Sequence, residues 1–161
     1  MTSIEQFVHE LRRLTPGERS VLRRSAGAPL SRNVAAFDLF TSIYWRLNRR
    51  GLDKQQLWIA MTLYPWNPLP AGEGCFGTAW RKAQPIDAKG KRRHDQRLDA
   101  ILSAEPPVLD TLLLDAVRVL KRRKVAIGWE QFTRDLHKCS NAATGVRQRW
   151  ARNYLQGDAN G

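Results

Sequence analysis

The spacing of apolar residues constrains this chain most. They recur at three- and four-residue intervals along nearly its whole length, and no segment alternates with period two for long enough to make a strand. The predicted fold is therefore all-α. Ser3-Ile4-Glu5-Gln6 has capping-box spacing, and Ile4, Phe7, Val8, Leu11 and Leu14 follow as one helical stripe. Thr15-Pro16-Gly17-Glu18 opens a second helix: Thr caps, Pro takes the first helical position and Glu reaches back from the third. That helix is expected to reach Ala26 and stop at Gly27, with residues 28–32 as loop. A third helix is predicted over 34–48, with Ala36, Phe40, Ile43, Tyr44 and Leu47 on one face and Gly51 beyond its end. Asp53 caps a fourth, which runs to Tyr64. Its apolar residues go nearly all round, which places it at the centre of a bundle.

Residues 65–77 are rich in Pro and Gly, a short helix is expected over 78–83, and 84–91 reads as a linker. Four more helices are predicted over 94–103, 107–122, 129–138 and 142–155. The expected organisation is two small helical bundles, 1–84 and 92–157, joined by a short linker. A chain of 161 residues suits one domain or two small ones. No apolar run approaches the roughly 20 residues of a membrane helix. The first residues begin an amphipathic segment rather than the apolar stretch of a signal peptide. Cys75 and Cys139 are the only cysteines, too few for a disulfide framework. A cytoplasmic protein away from membranes is expected.

Charge narrows the function. There are 27 Lys and Arg against 15 Asp and Glu, a formal net charge of +12, and 20 of the 27 cations are Arg. Arg dominance favours nucleic acid among acidic partners, because the guanidinium fork pairs with phosphate oxygens bidentately and stacks on bases. Sixteen of the cations fall in four clusters. Arg19, Arg23 and Arg24 lie on the second helix. Residues 89–97, which include Arg93 and Arg97, hold five cations and one acid. Residues 118–124, which include Arg118, Lys121, Arg122 and Arg123, hold five and none. Arg147, Arg149 and Arg152 lie on the last helix. Arg118 and Arg122 are one turn apart, opposite the Leu109/Leu113/Leu120 stripe, and must face solvent or a partner. Arg149 and Arg152 share a face away from Trp150, whereas Arg147 flanks the apolar side, where pairing with an acid is open to it.

Other constellations carry less. Gly72-Glu73-Gly74-Cys75-Phe76-Gly77 matches G-x-G-x-x-G, but a dinucleotide site needs a preceding strand, and a Pro-rich loop stands there. His137 and Cys139 lack a second ligand pair, so neither metal nor cofactor is expected. His94-Asp95 adjoins Arg92-Arg93 and suits a phosphate contact as well as acid–base work; His9 reads as exposed. No catalytic motif is present, and the chain reads as non-enzymatic. Of six tryptophans, Trp58, Trp129 and Trp150 sit on apolar stripes. Trp45, Trp66 and Trp80 are open to base stacking or subunit contact.

Two motif groups are similar to a known family. Leu11-x-x-Leu14-x-x-Gly17-x-Arg19-x-x-Leu22-Arg23-Arg24 opens the chain. Ile127-Gly128-Trp129, Asp135-Leu136 and Val146-Arg147-Gln148-Arg149-Trp150-Ala151-Arg152-Asn153-Tyr154 close it. The chain resembles the CasB family, the small subunit of the type I-E CRISPR surveillance complex called Cascade. It departs from the family pattern at Phe132, where Leu is common, and at His137, where an aromatic often follows. The resemblance implies a non-catalytic helical subunit, present in two copies beside other Cascade proteins and the guide RNA. Its basic surface would hold target DNA and the displaced single strand of an R-loop. Family-type basic positions map to Arg24, Arg97, Arg118 and the Arg147/Arg149 pair. Two other readings fit the charge: an independent nucleic-acid-binding helical module, and an adaptor for an acidic protein surface.

Overall fold

The computed structural model describes residues 1–30, 32–138 and 144–156. Cys139 and the side chain of His137 lie outside the described residues. Nine α-helices occur among the described residues, and no strand. They are α1 (Ser3–Arg12), α2 (Pro16–Arg23), α3 (Val34–Tyr44), α4 (Lys54–Leu63) and α5 (Phe76–Lys82) in the first half. In the second half come α6 (Ala88–Ser103), α7 (Val108–Arg122), α8 (Trp129–Lys138) and α9 (Val146–Gln156). A 3-10 turn, Tyr64–Trp66, continues α4. No described helix is long and apolar enough to cross a membrane.

The first caps follow local chemistry. Thr2, not Ser3, closes the box on α1: its hydroxyl accepts from the Glu5 amide at 3.1 Å, and Glu5 accepts from the Thr2 amide at 2.9 Å. The spacing is the same one residue earlier, and it places a carboxylate rather than an amide at the positive end of the helix. Thr15 and Glu18 cap α2 as predicted. Helix α2 ends at Arg23, and the chain leaves through Gly27 in the left-handed region, at φ +81°. Helix α3 ends at Tyr44 rather than Asn48. There the hydrogen bonds shorten to three-residue steps, from Arg46 to Ile43 and from Leu47 to Tyr44, which still bury Leu47.

The stretch 84–91 is not all linker. Asp87 caps α6 by accepting from the Gly90 amide at 2.7 Å, so Lys89, Lys91, Arg92, Arg93 and Arg97 all ride on one long helix. Pro85 precedes that helix, and Gly90 sits in its first turn, where neither breaks it.

Helix α4 is the hub. It packs against α2, α3, α7 and α8 and buries Leu57, Trp58, Ala60, Met61 and Leu63. Its Gln56 amide donates to the Thr133 carbonyl of α8. Contacts cross the expected boundary between 1–84 and 92–157: α5 packs on α9, and both α1 and α4 pack on α8. The buried apolar residues from Ile4 to Tyr154 form one cluster. Trp58, Trp80, Trp129 and Trp150 are fully buried and donate their indole N–H groups to Ala28, His94, Asn67 and Asp135. Each such tryptophan supplies a large apolar body without leaving a buried donor unpaired.

Candidate functional site

Helices α6 and α7 pack together and leave a groove along their seam. It is half open to solvent, with a volume of about 640 Å³ in its wider part and about 450 Å³ at its smaller end. Arg97, Val119 and Arg122 line both parts, so the two adjoin. The construction follows from helical phase. On α6, His94, Leu98 and Ile101 are buried, and Arg93 and Arg97 stand one turn apart beside that stripe. On α7, Leu112, Ala116 and Val119 face the seam, with Arg118 and Arg122 one turn apart at its edge. The floor is therefore apolar, aliphatic but for Trp80, and the rim cationic.

The rim carries Arg93, Arg97, Arg118, Lys121, Arg122 and Arg123, against one carboxylate, Asp115. Among the described residues the ion pairs are Arg12–Glu130, Arg46–Glu10 and Arg149–Asp135, all away from the groove. Among the described residues no rim cation is part of an ion pair.

Trp66 joins a second cluster to this rim. The Arg118 guanidinium lies 4.9 Å from the Trp66 ring centre and that of Arg23 lies 5.3 Å away. Arg23 also donates to the Pro65 carbonyl at 3.0 Å, and the Trp66 indole donates to the Arg23 carbonyl at 3.3 Å. Arg23 on α2 and Arg118 on α7 are far apart in sequence, and one indole brings them together. Arg24, the C-cap of α2, is exposed next to Arg23.

The C-terminal arginines are placed differently. Arg147 donates at 2.7 Å to both the Leu102 and Ala104 carbonyls, which satisfies the C-terminal end of α6. Arg149 is bound to Asp135, which is 2% exposed and also accepts from Gln131 and Trp150. The bond to Asp135 pushes the Arg149 pKa above its ordinary value. Arg152 is exposed on α9 and does not line the groove.

His94 and Trp80 correct the sequence reading. Trp80 is 0% exposed, so it is a core residue rather than an open stacking surface. Its ring lies 3.9 Å from that of His94 at an interplanar angle of 6°, and each side chain bonds the other residue's carbonyl. Burial lowers the His94 pKa, which keeps the imidazole neutral. Asp95 accepts from the Tyr154 hydroxyl, and burial together with that bond pushes the Tyr154 pKa up to about 12. Trp45 is 62% exposed on the C-cap of α3, with the Arg49 guanidinium 4.1 Å from its ring, and it lies outside the groove.

The glycine-rich loop has a packing role. A Cβ on Gly72 would fall 2.1 Å from the Ile127 carbonyl oxygen, and one on Gly77 would fall 2.1 Å from that of Trp150. Backbones approach there too closely for any side chain. Among the described residues no group of three or more His, Cys, Asp or Glu could hold a metal ion. Sequence reasoning missed the aliphatic floor and Asp115. The i, i+3 and i+4 spacing of Leu112, Asp115 and Ala116 was the available signal.

Several solved structures share this fold. CasB of M. ruber matches with a TM-score of 0.79 and 21% identity, over 99% of this chain and 96% of that one. CasB of Thermus thermophilus matches with a TM-score of 0.79 and 20% identity, over 96% and 99%. CasB of Thermobifida fusca gives 0.70 and 19%, over 94% of each chain. A comparison with curated proteins finds no match. The family of CRISPR-associated protein Cse2 matches residues 18–155, nearly the whole chain, and this protein belongs to that family.

Proposed function

We propose that this chain is the non-catalytic small subunit of a type I-E CRISPR Cascade complex and that its α6–α7 groove holds nucleic-acid backbone. The observation that carries this reading is the groove itself: six rim cations, one acid, and no internal ion pair among the described residues that consumes the rim charge. Membership of the Cse2 family supports the assembly. The partners would be the other Cascade proteins, the guide RNA, target DNA and the displaced strand, with two copies of this chain per complex in the cytoplasm. Arg23 and Arg24 extend the surface past Trp66, and Arg152 adds a separate contact. Arg147 and Arg149 support it through the fold.

The physical role is modest and sufficient. R-loop formation exchanges one duplex for another of similar stability, so contacts to backbone tip the balance. A displaced strand left in solution reanneals, whereas one held along a row of guanidinium groups does so more slowly. Base pairing with the guide supplies specificity, and the groove needs none for this purpose. The test is R-loop lifetime in the reconstituted complex at physiological salt. Changing Arg118, Lys121 and Arg122 together to Ala should shorten it while leaving the helical circular-dichroism signal intact. An unchanged lifetime with normal assembly rejects the groove as the strand-holding surface.

A further inference from the structure

We propose that the wider part of the groove is a pocket for an unpaired nucleobase, so that the occupant is a single strand with one base turned inward. This rests on the reading of the groove as a nucleic-acid surface. A phosphate chain needs only the rim. It gains nothing from the aliphatic floor of Ile101, Leu112, Ala116 and Val119. A flat heterocycle does, and the half-open volume of about 640 Å³ is ample for one base. A duplex keeps its bases stacked inside and would leave this floor empty. The rim is also braced: Arg118 is held over Trp66, which is itself bonded to the Arg23 carbonyl.

Asp115 gives the pocket a preference. It is the one carboxylate in the lining, three residues from both Leu112 and Arg118 on the same side of α7. A carboxylate opposes phosphate binding, so on a purely phosphate-binding surface it is a cost. Facing a base, it accepts from an exocyclic amino group such as cytosine N4. Thymine offers no such group. The pocket therefore favours amino-bearing bases, most simply cytosine over thymine.

The test uses the full chain and fluorescence anisotropy with three labelled strands of equal length: oligodeoxycytidine, oligodeoxythymidine, and the cytidine strand carrying abasic sites. Loss of the bases should weaken binding about tenfold, in line with the usual worth of a base contact. Cytidine should bind several-fold tighter than thymidine. Asp115→Ala, at an exposed position, should raise thymidine affinity by removing a negative charge and bring the cytidine-to-thymidine ratio close to one. If intact and abasic strands bind alike while salt still weakens both, the nucleobase pocket is wrong and the phosphate-binding groove stands. If Arg118→Ala with Arg122→Ala changes the affinity for none of the strands, the groove reading fails and takes the pocket with it.

Discussion

Asp135 is 2% exposed and accepts from Arg149, Gln131 and the Trp150 indole, so its charge is held almost entirely by protein donors. Arg149→Ala would leave that buried carboxylate short of its only cationic partner among the described residues. The Arg149 side chain is 37% exposed, so the loss should fall below the figure for a fully buried pair, at about 2 kcal/mol by chemical denaturation. Arg152→Ala, three residues on but exposed, should stay within about 0.5 kcal/mol. Equal effects would refute the division of labour between these two arginines. Their helical phase alone set Arg149 and Arg152 on one outward face, because the reach of a long side chain to another helix is not written in phase. The same holds for Trp80, whose loop-side position gave no hint that His94 would stack on it. His94 supplies a second residue-scale prediction. Burial sets its folded-state pKa below the ordinary 6.5. As pH falls through 6.5 the unfolded chain takes the proton first, so stability is full above that value and declines toward the depressed folded one. The melting temperature should therefore drop on mild acidification, and less so in His94→Phe, which keeps the ring stack. An identical drop in both proteins would place the titration elsewhere.

Helix α5 has only seven residues, yet its contact with α9 is the most extensive between the two halves. Its Gly77 allows the approach to α9, where Phe76 lies 5.1 Å from Trp150, and Arg81 caps α9 by donating to the Tyr154 carbonyl at 2.7 Å. Gly77→Ala would drive a methyl group into the Trp150 carbonyl, so that one backbone must shift. The expected cost is about 3 kcal/mol, at the upper end for overpacking, and thermal unfolding measures it. A neutral substitution would show that α5 and α9 slide freely. Gly77 was visible in the sequence only as part of a G-x-G-x-x-G string, which records the glycine but not the backbone opposite. Other elements were plainly legible. Thr15, Pro16 and Glu18 define the start of α2 by local chemistry, and the apolar circumference of α4 requires burial on all sides. The start of α6 was not legible: Pro85 and Gly90 look like breakers until Asp87 is seen to cap between them.

At the scale of the molecule, a net charge of +12 suits the proposed polyanionic partner but does not say which face would meet it. Four basic clusters are separate in sequence. The fold joins those of α6 and α7 along one seam, draws in Arg23 through Trp66, and commits Arg147 and Arg149 to interior bonds. That sorting depends on tertiary contacts, which charge counting along the last helix does not reveal. It also makes a quantitative prediction. If each of the six rim cations neutralises one phosphate of a single strand, the logarithm of affinity should fall with the logarithm of salt at a slope of about −4. Arg118→Ala combined with Arg122→Ala removes two of those contacts and should flatten the slope to about −3. Arg147→Ala should leave the slope where it was, because its guanidinium is bound to the Leu102 and Ala104 carbonyls. Binding isotherms across a salt series separate these cases without reference to absolute affinity. A slope unmoved by the double substitution, or flattened by Arg147→Ala, would mean that the strand runs over another face of the molecule.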